Sequence, residues 1–464
     1  IMAILAGIDR GYVTRQEGLE RMEKIVSFLE TADRFHGAYP HWWYGDTGKV
    51  KPFGQKDNGG DLVETAFIMQ ALLSVHQYYI DGSPAEQALA ARIDKLWREV
   101  DWNFYRQGDQ NVLYWHWSPE YGWEMDFPVH GYNECLIMYI LAAASPTHGV
   151  PAAVYHEGWA QNGAIVSPHK VEGIELHLRY QGTEAGPLFW AQYSFLGLDP
   201  NGLKDEYCPD YFGEMRNLTL VNRAYCIRNP KHYKGFGPDC WGLTASYSVD
   251  GYAAHSPNEQ EDKGVISPTA ALSSIIYTPE YSMQVMRHLY GMGDKVFGPF
   301  GFYDAFSETD NWYPQRYLAI DQGPIAVMIE NYRSGLLWSL FMNIPEIQEG
   351  LARMGVQPLP AANGFPQVVV PLKKTESGYE LDALDLRRHP DTGLYTLPYS
   401  CEKDGMVFFT LKDASGKVVG QFTREGRKGD NVLEFPQFMP KSGETLQLIM
   451  RIGDLTAGLP VRLN

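Results

Sequence analysis

The sequence has no long hydrophobic run. No segment approaches the roughly 18 uninterrupted apolar residues that a membrane-spanning helix needs, so no membrane span is expected. Positive charge is also short: 39 Lys and Arg stand against 56 Asp and Glu, for a formal net charge of −17. Such a chain repels phosphate backbones and anionic lipid surfaces, which argues against a nucleic-acid or membrane-binding role. Cysteine is scarce. The five residues Cys135, Cys208, Cys226, Cys240 and Cys401 form no CxxC pair and are odd in number. They therefore suggest neither a zinc-binding motif nor a disulfide framework, and at most one or two bridges. His116, His130, His148 and His255 show no HExxH or paired ligand spacing. The GxSxG nucleophile elbow and the GxxxxGK[ST] phosphate loop are absent too. The sequence thus implies no metal and no cofactor.

What the sequence does have is aromatic surface and a large apolar fraction. It carries 12 Trp and 29 Tyr among 464 residues, 44% of them hydrophobic. That is enough for a substantial core in two domains. Aromatic faces also suit the C–H faces of sugar rings, although a Trp- and Tyr-rich core explains the same composition. The opening IMAILAGIDRGYVT reads as the last turns of an apolar helix followed by a turn at Gly11. It is not a signal peptide, and further N-terminal helices are expected upstream.

Up to about residue 355 the pattern is helical. Thr14 to Glu17 fits a capping box ahead of an amphipathic helix. The stretch from Asp61 (DLVETAFIMQALLSVHQYYI) is apolar nearly all round, whereas that from Ser83 (SPAEQALAARIDKLWREV) has a polar face. GYNECLIMYILAAAS, from Gly131, is again apolar throughout, and further helices are expected at 211–227, from Thr278 and from Asp321. Helices apolar on every face lie inside and one-faced helices outside. Their alternation predicts an (α/α) toroid joined by long Gly- and aromatic-rich loops, the kind that carry function. After residue 355 the Pro/Gly/Asn-rich VQPLPAANGFPQ leads into short β-rich runs with Asp-Ala-Ser-Gly and Lys-Gly-Asp-Asn turns. This predicts a catalytic domain over 1–355 and a small β-sandwich accessory domain over 356–464.

Several carboxylates open presumptive inner helices. Asp61 and Glu64, in GGDLVETAF, share one helical face. A cap with Glu at its third position accounts for them equally well, but Phe67 and Ile68 are poor company for a solvated cap. Glu134 precedes Ile137 and Met138. An apolar surround raises a carboxyl pKa, as a general acid requires, while the helix N-terminus favours the anion. Asp321, in AIDQGP, reads alone as an N-cap with Pro324 in the first turn. If inner helices run parallel, their N-termini meet, and such carboxylates converge on one cavity. Two opposed carboxyls are what glycoside hydrolysis needs.

At these residues the sequence resembles the bacterial glucoamylase-like family, which includes endo-β-1,2-glucanases and the related domain of cyclic β-1,2-glucan synthases. NECLIMYILAAASPTHGVP, GPLFWAQYSFLGLDPNGLKD, NRAYCIRNPKHYKGFGPDCWGLTAS, DGYAAHSPNEQEDKGVISPTAALSSIIYTPE and AIDQGPIAVMIENYRSGLLW carry the resemblance, which spans essentially residues 1–355. It implies an all-α (α/α)6 toroid whose first helices lie before this chain begins. It also implies a hydrolase of β-linked glucan, acting on β-1,2-glucan or sophorose-type oligosaccharides with inversion; a monomer is expected, and because polymeric glucans are met outside the cytoplasm, so is a periplasmic or secreted location. Glu134 would then be the general acid and Asp321 the general base, their carboxyls more than about 6 Å apart to leave room for water. Asp61, Glu64, Trp241, Tyr247 and His255 would contact substrate. Tyr247 stands where the family pattern WGLTASD has an acid, which leaves subsite chemistry and linkage open. The rival readings are an α-glucan hydrolase on the same scaffold, a non-catalytic glycan-binding protein, and a polysaccharide lyase. The last is disfavoured because the acidic chain would repel the acidic polymer that a lyase needs.

Overall fold

The computed structural model describes residues 1–357, 372–375, 378–381, 384–386, 395–401, 404–435, 445–452 and 455–463. The described chain is helix-rich up to residue 357 and β-rich after it. It divides into two compact units. One comprises Ile1–Ile329 and Leu337–Gln357; the other comprises Glu330–Leu336 and Pro358–Asn464.

Local sequence signals set the helix ends in the first unit. The opening helix Met2–Asp9 stops before Gly11, whose φ of 73° closes the turn. Helix Arg15–Thr31 has a full capping box. Thr14 Oγ1 accepts from the Glu17 amide at 3.2 Å, and the Thr14 amide donates to Glu17 Oε2 at 2.9 Å. Helix Pro84–Arg98 has the same device at Ser83 and Glu86, and buries Leu89, Ala90, Ile93, Leu96 and Trp97 along one face. That face packs on helix Leu62–Tyr79, which is buried on most sides as its composition requires. Helix Leu136–Ala144 buries all nine of its residues. It meets helix Pro345–Arg353, where a Cβ on Gly350 would lie 2.7 Å from the Ala144 Cβ.

Two helices differ from expectation. The helix after Glu134 begins at Leu136 rather than near Gly131, because Asn133 turns the chain and caps the Cys135 amide at 2.8 Å. The long helix expected from Asp321 is two helices, Ala319–Ser334 and Leu336–Met342, broken at Gly335 with φ of 67°. Asp321 is consequently inside the first turn, not at the N-cap. All five cysteines are buried and free. No described helix is long and apolar enough to cross a membrane.

In the second unit, strands Leu384–Leu386, Leu455–Leu463, Thr445–Ile452, Gly405–Lys412 and Val418–Gly426 form a five-stranded sheet. It lies in the order given and is antiparallel except where Leu384–Leu386 runs parallel to Val461–Leu463. Tyr395–Cys401 pairs with Gly429–Phe435, and Leu372–Thr375 with Gly378–Leu381. The Asp-Ala-Ser-Gly turn forms as expected, with Asp413 Oδ1 accepting from the Ser415 and Lys417 amides and Gly416 at φ of 84°. The Lys-Gly-Asp-Asn segment is not a turn: Gly429 opens a strand paired through Cys401. The Val368–Pro371 part of the expected first strand lies outside the described residues.

Candidate active site

The Gly-Gly pair ahead of Asp61 exists because the chain must pass close to its neighbours. A Cβ on Gly60 would lie 1.9 Å from the Tyr105 hydroxyl. Gly60 and Asp61 pair with Trp117 and His116, and this delivers Asp61, fully buried, to the start of helix Leu62–Tyr79. Its Oδ1 caps the helix through the Val63 amide at 3.0 Å and the Glu64 amide at 2.9 Å. Its Oδ2 accepts from Trp115 Nε1 at 2.9 Å and lies 3.1 Å from His41 Nδ1. The capping reading thus accounts for one carboxylate oxygen of Asp61, and the other is engaged by Trp115 and His41.

His41 ties this corner together. It stacks on Phe53, and its Nδ1 is 3.5 Å from Asp57 Oδ2 and its Nε2 3.9 Å from Glu64 Oε1. Burial works against its charge, but the bonds to Asp57 and Asp61 and the charge of Glu64 prevail, and its pKa is pushed up to about 10. Asp57 also faces His116 Nε2 at 3.2 Å. Burial raises the Asp57 pKa, yet the two histidines outweigh burial and hold it at about 2.

Glu64 and Glu134 behave in the opposite way. Glu64 has 28% of its side chain exposed, so it faces open space. Desolvation first, then the Asp61 charge, raise it to about 8 against the pull of His41, and Glu134 raises it further. Glu134 is 7% exposed, with no cation paired to its side chain among the described residues. Its backbone carbonyl is fixed by Ser194 Oγ at 2.5 Å. Desolvation, with a smaller push from Asp61, brings its carboxyl up to about 7 despite a bond to its own amide. A carboxyl poised there is protonated or ionised on demand near neutrality.

Asp321 is 2% exposed and lies against a residue that sequence reasoning missed, Asp304, which is 1% exposed. Asp304 Oδ2 accepts from the Tyr247 amide at 3.1 Å. Asp304 Oδ1 and Asp321 Oδ2 are both buried and receive no donor from any other group among the described residues. The two carboxyls hydrogen-bond to each other, which requires a shared proton. Burial first, then Asp304, push Asp321 up to about 9; burial raises Asp304 as well, eased by the bond to Asp321. The pair carries one negative charge between two groups near neutrality. Thr269 Oγ1 fixes the Asp321 carbonyl at 2.7 Å and Ser267 Oγ the Asp304 carbonyl at 2.8 Å.

Both groups of acids meet around Tyr193. After burial, the charges on Asp321, Glu64 and Glu134 raise this hydroxyl, together with Tyr252. Tyr252 is half exposed and is raised in turn, after burial, by Asp321, Asp304 and Glu64. The structure thus gathers Asp61, Glu64, Glu134, Asp321 and Tyr247 into one neighbourhood. Tyr247 pairs with Tyr252 across a hairpin, its ring 4.2 Å from the Arg316 guanidinium. Trp241 and His255 are different. Trp241 is fully buried and His255 is 1% exposed, its Nδ1 bonded to the Thr244 carbonyl and Ser246 Oγ. Neither presents a face to a sugar in this conformation. His41, Asp57, Tyr193, Tyr252 and Asp304 had no sequence signal, since each acquires its role from partners distant in the chain. Exposed Trp42, Phe53 and Phe127 lie on the His41 side, the first two against His41 and Phe127 edge-on to Trp115.

Comparison with known proteins shows what the chain as a whole is similar to. Residues 126–345 match the family model Glycoamylase, described as "Putative glucoamylase". A crystal structure of a "putative glucoamylase" from Bacteroides caccae is 88% identical, with a TM-score of 0.76 over 77% of this chain and 86% of that one. An endo-β-1,2-glucanase from Chitinophaga pinensis, in complex with sophorotriose and glucose, is 67% identical with the same TM-score and the same coverage of both chains. An exo β-1,2-glucooligosaccharide sophorohydrolase (non-reducing end) from Parabacteroides distasonis is 43% identical over 372 residues. Those residues are 76% of this chain and 52% of that protein, so the chain spans about half the length of this curated relative. On identity and coverage together, this chain belongs to the glycoamylase family.

Proposed function

We propose that this protein is a glycoside hydrolase that cleaves β-1,2-glucan or sophorose-type oligosaccharides with inversion, on an (α/α)6 toroid accompanied by a β-sandwich domain. Glu134 protonates the glycosidic oxygen as the C–O bond breaks. The ionised half of the Asp304–Asp321 pair, with Asp321 as the reacting base, takes a proton from the water whose oxygen attacks the anomeric carbon. Glu64, which is partly exposed, binds glucose hydroxyls, the buried Asp61 tunes Glu134, and Tyr252 and Tyr247 offer aromatic surface to the sugar. The observation that carries this reading is that the charges of Glu64, Glu134 and Asp321 all act on Tyr193, with one acid near 7 and a separate, proton-sharing carboxyl pair. The β-1,2-linked activities of the Chitinophaga pinensis and Parabacteroides distasonis relatives support the linkage. A polymeric glucan is met outside the cytoplasm, which favours a periplasmic or secreted location.

The test is product release from β-1,2-glucan, β-1,3-glucan, mixed-linkage glucan and starch, with Glu134→Gln as the control. Sophorose or short β-1,2-oligosaccharides from the first substrate alone, lost in the variant, are the expected result. Maltose or glucose from starch would replace this reading with an α-glucan hydrolase. Binding without turnover would replace it with a glycan-binding protein.

A further inference from the structure

Away from the carboxylates, three side chains from separate stretches of chain meet. Cys240 ends the loop bridged between Gly237 and Cys240, His288 lies in the last turn of helix Pro279–Gly291, and Glu308 follows the bridge of Phe306 to Ile266. One donor atom from each lies within 4.8 Å of the other two. Cys240 is buried and its thiol is free. His288 supplies the second observation. Its Nδ1 faces Asp239 Oδ2 at 3.3 Å, which leaves Nε2 as the ring's remaining donor or acceptor. Nε2 is buried and has no hydrogen-bond partner among the described residues. That nitrogen is therefore free to take a water or a metal ion. Glu308 is held close by Gly235, where a Cβ would come within 2.5 Å of its Oε1 and no larger residue fits without displacing it.

We propose that Cys240, His288 and Glu308 form a structural site for a thiophilic divalent transition ion, with zinc the best match. One thiolate, one imidazole and one carboxylate are the ligand types zinc takes, and water completes the tetrahedron. Asp239 stands in the outer position, its carboxylate orienting the ligating histidine through the ring nitrogen that does not bind metal. Bond lengths of about 2.0–2.3 Å bring tetrahedral donors to roughly 3.3–3.8 Å apart, so the three donors would draw together on binding. Binding replaces the Cys240 thiol proton with the metal, and the proton leaves to solvent. The ion would clip three segments together: the loop that enters Trp241, the end of helix Pro279–Gly291, and the loop that leaves Asp304. No spacing rule finds this site, because its ligands come from three separate elements.

The test uses the full chain, stripped with a chelator and titrated with Co2+ as a spectroscopic stand-in for zinc. The expected result is one equivalent bound, with a thiolate-to-cobalt charge-transfer band in the near ultraviolet that zinc bleaches. Cys240→Ser should abolish the band, and Cys226→Ser should keep it. Asp239→Asn should keep the band and weaken affinity by about 10–100-fold, as an orienting partner does. Absence of the band in the native chain overturns the proposal, as does a band that survives Cys240→Ser. Because the native chain alone can give the first of these results, a variant that fails to fold does not shield the proposal.

Discussion

Asp304 and Asp321 are two buried carboxyls held against each other with no other donor among the described residues for the oxygens between them. Their contact exists only if they share a proton, and the pair is thereby a single-charge base rather than two independent acids. Asp321→Asn should lower kcat by about 10²–10⁴-fold, the usual contribution of a general base. Asp304→Asn should cost less and should move the acidic limb of the pH–rate profile to lower pH, because the bond and charge of Asp304 are what, after burial, raise Asp321. A profile unchanged in Asp304→Asn would remove Asp304 from the machinery.

Glu134 acts while it holds its proton. With its carboxyl at about 7, raised mainly by burial, hydrolysis should fall as pH rises through that value. The check is kcat/KM against pH on a β-1,2-oligosaccharide. Glu134→Gln should reduce the rate by about 10²–10⁴-fold and abolish the basic limb, while binding measured by calorimetry persists.

Asp61 links stability to that titration. Its charge raises Glu134, so Asp61→Asn should shift the basic limb to lower pH while leaving the helix capped, since Asn caps as well as Asp. Asp61→Ala loses the cap and the bonds to Trp115 and His41 as well. It should cost about 1–3 kcal/mol in urea denaturation.

His41 and Asp57 give the helical unit its pH dependence. The His41 pKa is raised from 6.5 to about 10. Its contribution is therefore complete below 6.5 and disappears as pH rises through about 10. Asp57 is depressed from 3.8 to about 2, so its contribution is complete above 3.8 and is lost as pH falls through about 2. Denaturation midpoints across pH should show a plateau between 3.8 and 6.5, the two unshifted values, and decline on either side of it. His41→Gln should remove the decline on the alkaline side; an unaltered decline would place its origin elsewhere.

Gly60→Ala tests the close approach that positions Asp61. A Cβ 1.9 Å from the Tyr105 hydroxyl and 3.1 Å from the Phe35 Cβ forces the strand to shift. A loss of about 1–3 kcal/mol is expected, as for other overpacked sites. Activity should fall with it, because Asp61 and Glu64 follow directly in the chain.

The sequence by itself determined what depends on neighbours a few residues away. The capping boxes at Thr14 and Ser83, the turn at Gly11, the Asp-Ala-Ser-Gly hairpin and which faces of the helices are buried all follow from local hydrogen bonds and apolar periodicity. So did the change from helices to strands near residue 355. The carboxylates Glu134 and Asp321 were legible through their motifs, but their electrostatics were not. A pKa depends on burial and on charges brought in by other segments, and only folding brings Asp304 to Asp321, or Asp57 and His41 to Asp61. The break at Gly335 and the burial of Trp241 and His255 were also decided by tertiary packing. So was the meeting of Cys240, His288 and Glu308, since no local rule relates residues that share neither a helix nor a turn.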